Sequence, residues 1–399
     1  MKTKYHYVII GSGIIGMTIA RALREAGPDA TILIIDKEPH EAAHASSRNS
    51  GVLHAGFYYS ADSLKAKFTV DGNRAMKEYC RHNHLPINAC GKLVVAQNEE
   101  ELAKLFELEA RGKRNGSNVR IINEHEARAL EPNVRTFKKA LYSPDTASID
   151  PKQVCAFLKS DLQRDGIEFL FQAKFIGKIN GGISTSQGDI QADKIINCAG
   201  LYADKIAKSF GFGARYTIIP FKGLYLKYTK NSTDVRMNIY PVPNLNNPFL
   251  GVHFTKTVSG EIKIGPTAIP ALWRENYAGS ANFKLDECAS ILSHEARLFL
   301  TNAFGFRRLA REEVRKYNKK YFVGLAQNMV QSIDPAGFTE YTKPGIRAQL
   351  LDKTTSKLVD DFLVEADRHS IHVLNAVSPA FTCAIPFGRF VVKTFVLTP

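Results

Sequence analysis

The six residues Gly-Ser-Gly-Ile-Ile-Gly at 11–16 stand between an apolar, β-branched run, YHYVII at 5–10, and a helical repeat, MTIARALREAG at 17–27. A second apolar run, TILIID at 31–36, follows, so the chain is predicted to open as a β-α-β unit. In such a turn Gly11 permits the tight reversal, Gly13 lets backbone approach a pyrophosphate, and Gly16, after Ile15, lets helix and strand pack closely. Asp36 lies at the end of the second strand, 20 residues beyond Gly16, where a carboxylate accepts from ribose hydroxyls; Lys37 follows it. The pattern predicts a bound dinucleotide. An acidic residue at this point argues against NADP and leaves NAD and FAD open.

The remaining chain divides by periodicity. Residues 60–84, 99–130, 151–164 and 283–332 have helical spacing. Residues 166–196 read as short strands, with Gly181 and Gly182 as a hairpin turn, and 214–270 as a β-rich stretch. SIHVLNAV (370–377) reads as a strand and SPAFTCAIPFG (378–388) as a helix start, with Ser378 as N-cap and Pro379 in the first turn. The fold class expected is α/β: a Rossmann-like dinucleotide lobe with an interleaved, antiparallel β-rich substrate lobe. The first lobe is expected at 1–80, 145–212 and 335–399, the second at 81–144 and 213–334.

Lys and Arg number 53 against 39 Asp and Glu, a net charge of +14. This surplus attracts an anion: a nucleic acid, an acidic membrane surface or an acidic small molecule. No nucleic-acid-binding module and no basic-aromatic interleaving is found, so no nucleic-acid partner is expected. The six cysteines form no C-x-x-C pair, which predicts reduced thiols and no metal site. Lys2 and Lys4 before an apolar run imitate a signal peptide, but that run is rich in glycine and stops at Arg21. It is read as strand, turn and helix. No uncharged apolar stretch of about 18 residues is found, so no membrane span is expected.

Ten stretches, in order along nearly the whole chain, carry a resemblance: GSGIIG, SSRNSGVLHAGFYY (46–59), PDTASID (144–150), NCAGLYADKIA (197–207), PFKGLY (220–225), FLGVHFT (249–255), IGPTA (264–268), GIRAQLLDK (345–353), LVDDFLVE (358–365) and LNAVSPA (374–380). Together they resemble the FAD-dependent family of D-amino-acid oxidase and glycerol-3-phosphate dehydrogenase, and within it the L-2-hydroxyglutarate dehydrogenase/oxidase group. The resemblance implies FAD as cofactor and a small dicarboxylate as substrate. It also implies that Ser47, Arg48 and Gly200 lie along the FAD, that the helix starting at Ser378 is aimed at the flavin ring, and that Arg347 grips the α-carboxylate, which a guanidinium fork binds bidentately. Lys222 stands where arginine is expected and Ala147 where glycine is usual. A lysine keeps the charge and loses the fork.

Oxidation of a 2-hydroxy acid needs a base for the hydroxyl proton, a carboxylate clamp and a dry pocket. His54 and His253 are the candidate bases, and the sequence does not rank them. Lys222, Tyr240 or the second histidine is a candidate anchor for a distal carboxylate; Tyr58, Tyr59 and Tyr225 are read as packing residues. The cations at 307–320 (Arg307, Arg308, Arg311, Arg315, Lys316, Lys319, Lys320) have helical spacing. They form either a solvated face or an interfacial helix through which electrons reach a membrane quinone. Oxygen is the other acceptor considered, and the expected location is the cytoplasm, including the inner face of the membrane. The rival activities are amino- or imino-acid oxidation and glycerol-3-phosphate dehydrogenation.

Overall fold

A computed structural model describes residues 4–243 and 250–398. The chain forms two units, residues 1–49, 151–220 and 346–399, and residues 50–150 and 221–345. The second unit takes residues 50–80, which the expected bounds put with the first.

In the first unit, β1 (Lys4–Ile10) lies at the middle of a largely parallel sheet. It pairs with β2 (Ile32–Ile35) on one side and with Gly188–Asn197 on the other, and Ser370–Asn375 extends the parallel set beyond. All four residues of β2 are buried, as expected of a parallel strand covered on both faces. Ile9, Ile34 and Ile35 are at most 1% exposed, and each such side chain contributes roughly 1.5–3 kcal/mol by leaving water. The helix α1 (Ile14–Ala26) buries Ile14, Ile15, Met17, Ile19 and Leu23. A helix at Ala380–Val392 lies against α1 so closely that a Cβ on Gly388 would stand 2.7 Å from the Thr18 carbonyl oxygen.

Among the described residues the stretch Ala380–Leu397 is long and apolar enough, by length and composition, to cross a membrane, although it is not the uncharged stretch that the sequence reading excluded. It contains Arg389 and Lys393, and its packing on α1, fastened by Arg389 to Glu25 at 3.1 Å, is that of a core helix. It also begins one residue later than expected: Pro379, not Ser378, is the N-cap, and no side chain caps it.

The second unit is built on an eight-stranded sheet drawn from both of its chain segments. Lys92–Val95 pairs in parallel with Asn238–Pro241, and the other strands run antiparallel. Leu93, Val95, Ile239 and Phe254 face one core, which the helix Lys319–Gln327 helps to cover through Phe322 and Val323. Val94 and Tyr240 face the other, with Ala55, Phe57 and Tyr58. A small sheet joins Val52–Leu53 to Ala147–Ile149, bringing two of the ten stretches together.

Three helices, Leu285–Thr301, Phe306–Arg315 and Lys319–Gln327, occupy the 283–332 region. Two buried carboxylates fasten the first two: Glu313 accepts from the Ala268 N–H at 2.6 Å, and Glu287 from the Arg274 N–H at 3.1 Å. The expected helix at 99–130 is two helices, Glu99–Arg114 and Glu124–Leu130, separated by the strand Arg120–Asn123. The Asn123 capping box starts the second helix afresh.

Candidate active site

The glycine turn of the first unit is a cradle that a side chain would fill. Gly11 has φ +109°, and a Cβ there would stand 2.5 Å from the Cys198 carbonyl oxygen. A Cβ on Gly16 would stand 2.1 Å from the carbonyl oxygen of Gly11. Gly13 caps α1 without a side-chain hydrogen bond, and the first turn carries no acidic residue. The positive end of the helix thus carries no acidic residue of its own first turn that would repel an anion. Ile15 turns its side chain into the core, so only its backbone belongs to this end.

Asp36 completes the cradle. Its Oδ2 accepts from the backbone N–H and hydroxyl of Ser12 at 2.8 and 2.7 Å, and its Oδ1 from the N–H of Glu38 at 3.0 Å. One lone pair of Oδ1 is left for a ribose hydroxyl. Lys37 is paired with Glu38, and hydrogen bonding from His44, then Lys37, lowers the Glu38 carboxyl to about 2. Ser46, one residue before the expected Ser47, reaches the turn, where its Oγ accepts from the Ile14 N–H at 2.9 Å. Ser47 stays within its own loop, donating its N–H to the His44 carbonyl, and Arg48 donates Nε–H to Ala43 at 2.9 Å. Gly200 opens a short 3-10 turn after the Gly188–Asn197 strand, held by Asn197, which accepts from the Ala199 N–H. Turn, helix end and acceptor carboxylate fit the pyrophosphate and ribose of FAD. Arg347, half-buried, lies in the strand Gly345–Asp352.

The second unit gathers the two candidate bases. His54 follows the strand Val52–Leu53, and the loop after it is pinned by side chains. Asn73 donates to the carbonyls of Leu53 and His54, Ser117 to that of Ala55, and Asn115 to those of Gly56 and Tyr59. His253 heads the strand His253–Lys256 and stacks on the ring of Tyr240, with centroids 3.7 Å apart and planes 16° apart. Its Nδ1 lies 2.8 Å from the Gly251 carbonyl. A carbonyl only accepts, so Nδ1 carries the proton and Nε2 is the basic atom. Burial, then the charges of Lys92 and His253, holds His54 well below the ordinary imidazole range. It is neutral at physiological pH.

Lys222 and Tyr225 lie on a ridge stapled to the IGPTA stretch: Thr267 accepts from the Leu224 N–H and donates to the Lys222 carbonyl. The Lys222 ammonium donates to Asn276 Oδ1 at 3.1 Å, and burial lowers its pKa. The structure thus groups His54, His253 and Tyr240 in one unit, and the glycine turn with Asp36 in the other. The FLGVHFT stretch is described from Leu250 onward; Phe249 lies outside the described residues.

Sequence reasoning missed two residues. Ser46 was one position from the residue named. Lys92, fully buried beside Tyr240, left one signal, a lone cation heading the apolar run KLVVA.

A Gly-rich turn opening a β-α-β unit, with an acidic acceptor at the end of β2, defines a dinucleotide-binding protein. Residues 6–394 match the family described as DAO, FAD dependent oxidoreductase, and the chain belongs to that family. It is 35% identical over 402 residues to the L-2-hydroxyglutarate dehydrogenase of Escherichia coli (strain K12), covering 98% of this chain and 92% of that one. It is 34% identical over 416 residues to the mitochondrial L-2-hydroxyglutarate dehydrogenase of Homo sapiens, covering 98% and 88%. Among solved structures, L-alpha-glycerophosphate oxidase from Mycoplasma pneumoniae with FAD bound superposes with a TM-score of 0.76 at 20% identity, covering 98% of this chain and 94% of that one. Glycine oxidase from Geobacillus kaustophilus gives 0.71 at 15%, covering 100% and 98%. The fold is that of these FAD-dependent enzymes, and the cofactor is FAD.

Proposed function

We propose that the protein oxidises L-2-hydroxyglutarate to 2-oxoglutarate, with loss of two electrons and two protons. The relation to L-2-hydroxyglutarate dehydrogenases over 98% of the chain carries the substrate assignment. FAD, when bound, supplies the two-electron acceptor; the glycine turn with Gly11, Gly13 and Gly16 would hold its pyrophosphate and Asp36 its ribose. Lys37, Ser47, Arg48, Gly200 and Ser378 are the further residues proposed to line it.

Arg347 grips the α-carboxylate through its guanidinium fork. A neutral imidazole, His54 or His253, takes the hydroxyl proton, and the burial of both side chains and the Nδ1–Gly251 contact of His253 support that role. The other histidine, Lys222 or Tyr240 anchors the distal carboxylate. Burial among Tyr58, Phe57 and Tyr240 keeps water from the bases.

The electrons then leave to a quinone or to oxygen. An anionic membrane surface is supported by the helical insertion. Leu285 and Leu300 are each 73% exposed and Tyr317 64%, and the same helical region exposes Arg308, Arg311, Lys319 and Lys320. Exposed apolar side chains and cations in one helical region suit an interfacial lipid contact. Of the expected run, Arg307 is used structurally, donating to the carbonyls of Phe299 and Leu300, and Lys316 pairs with Glu313.

The test is a substrate panel with an artificial electron acceptor: L-2-hydroxyglutarate, its D isomer, glycine, L-proline and glycerol 3-phosphate. Turnover of the L-hydroxy acid alone is expected. Preference for an amino acid or for glycerol 3-phosphate would replace this reading with one of its rivals.

A further inference from the structure

Lys92 is the most unusual charged residue of the second unit. It heads the strand Lys92–Val95 and is 0% exposed, and among the described residues its ammonium has no hydrogen-bond partner. Around it are aromatic rings: Nζ lies 3.9 Å from the centroid of Tyr240, 5.3 Å from that of Tyr58 and 5.7 Å from that of Phe57. An unpaired buried cation is costly, and ring faces return only part of its lost hydration. Packing alone would be better served by methionine.

Tyr240 also carries His253 stacked at 3.7 Å. A cation 3.9 Å over a ring and an imidazole stacked on that ring cannot share a face. Lys92 and His253 therefore take opposite faces of Tyr240. The remaining titratable groups here are His54, Tyr58 and Tyr240 itself, with Cys90 beside Lys92 and Tyr225 beside Tyr240. Burial pushes the Tyr58 and Tyr240 phenols and the Cys90 thiol upward, so these stay neutral. The fixed cationic charge acting on His54 is that of Lys92.

We propose that Lys92 is a positioning residue for proton abstraction: its ammonium, set behind the ring of Tyr240 on which His253 stacks, lays a positive potential on the histidine pair His54 and His253. The inference rests on the proposed dicarboxylate substrate and histidine base. Two carboxylates entering the site would raise the imidazole basicity and fill the base with a proton before reaction; a fixed buried cation cancels part of that field. Burial lowers the Lys92 ammonium to about 7. It is therefore charged on the acidic side of neutrality, where an imidazole would protonate, and neutral well above it.

The test uses the FAD-loaded enzyme. Lys92→Met removes the charge at similar volume, and its thermal midpoint is expected to equal or exceed that of the parent at pH 6, because a buried charge is lost. Two quantities are read: the histidine 13Cε1 titrations by NMR, and the acidic limb of kcat/KM against pH. In Lys92→Met both are expected to move up by about one pH unit, a tenfold change in proton affinity, while Lys92→Arg, which keeps the charge, leaves them in place. Histidine midpoints that do not move overturn the proposal whatever the kinetics do. Midpoints that move with an unmoved acidic limb support the field of Lys92 and reject the histidine base instead.

Discussion

His372 and His253 are both buried histidines on strands, and their neighbours separate them. His372 is 0% exposed, with Asn197 Nδ2 3.2 Å from Nδ1 and the Ser370 hydroxyl 3.0 Å from Nε2. Burial lowers it to about 4. Both of its nitrogens are engaged, so it is a core residue. His253 places Nδ1 on the Gly251 carbonyl and stacks on Tyr240, and it is the proposed base or anchor. A kinetic series follows: His54→Ala and His253→Ala separate base from anchor, because loss of the base lowers kcat roughly 10²–10⁴-fold even at saturating substrate, whereas loss of an anchor raises KM. Arg347→Ala is expected to raise KM strongly with FAD retained; parental turnover in both histidine variants would remove the histidine base. At the other unit, Gly11→Ala would place its Cβ against Cys198 at a φ that disfavours any side chain. Purified Gly11→Ala is expected to lack the yellow flavin absorbance, and a full complement of FAD would contradict the assigned cradle.

Elements set by local pattern were legible in the sequence, and elements set by distant partners were not. The GSGIIG turn, α1 and the helix Pro151–Arg164 declare themselves through short-range spacing. The break at Arg120–Asn123 does not, since that short strand exists to pair with Lys139–Ser143. Likewise nothing local announces that Lys92–Val95 lies beside Asn238–Pro241, and without that pairing Lys92 is one surface lysine among many. The helix Leu285–Thr301 illustrates a further cost of tertiary placement. Burial raises the Glu295 carboxyl to about 7, and among the described residues its Oε1 has no hydrogen-bond partner. The fold favours the protonated form, so stability falls as pH rises from the ordinary carboxyl range through about 7 and is lowest above it. Glu295→Gln should therefore stabilise by ~2 kcal/mol at pH 8 and by little at pH 4.5. Denaturant unfolding at the two pH values measures this; equal effects at both would remove the burial argument.

Across the whole molecule, the discontinuity of the units follows from the parallel sheet. Its strands come from residues 4–10, 32–35, 168–170, 188–197 and 370–375, so residues of the other unit must lie between them in sequence. The +14 surplus exceeds what a pyrophosphate and two carboxylates require. The proposed lipid contact of the exposed cations and leucines at 283–332 would use that excess. Sedimentation with vesicles containing phosphatidylglycerol is expected at low ionic strength and is expected to be lost at high salt; no sedimentation at low salt would leave this face simply solvated. The central claim concerns the reaction itself. Its most direct measurement is the absorbance of the bound flavin under anaerobic conditions on addition of each isomer of 2-hydroxyglutarate. Rapid bleaching by the L isomer, with one equivalent of 2-oxoglutarate formed and no bleaching by the D isomer, is the expected result; bleaching by the D isomer, or by neither, would contradict it.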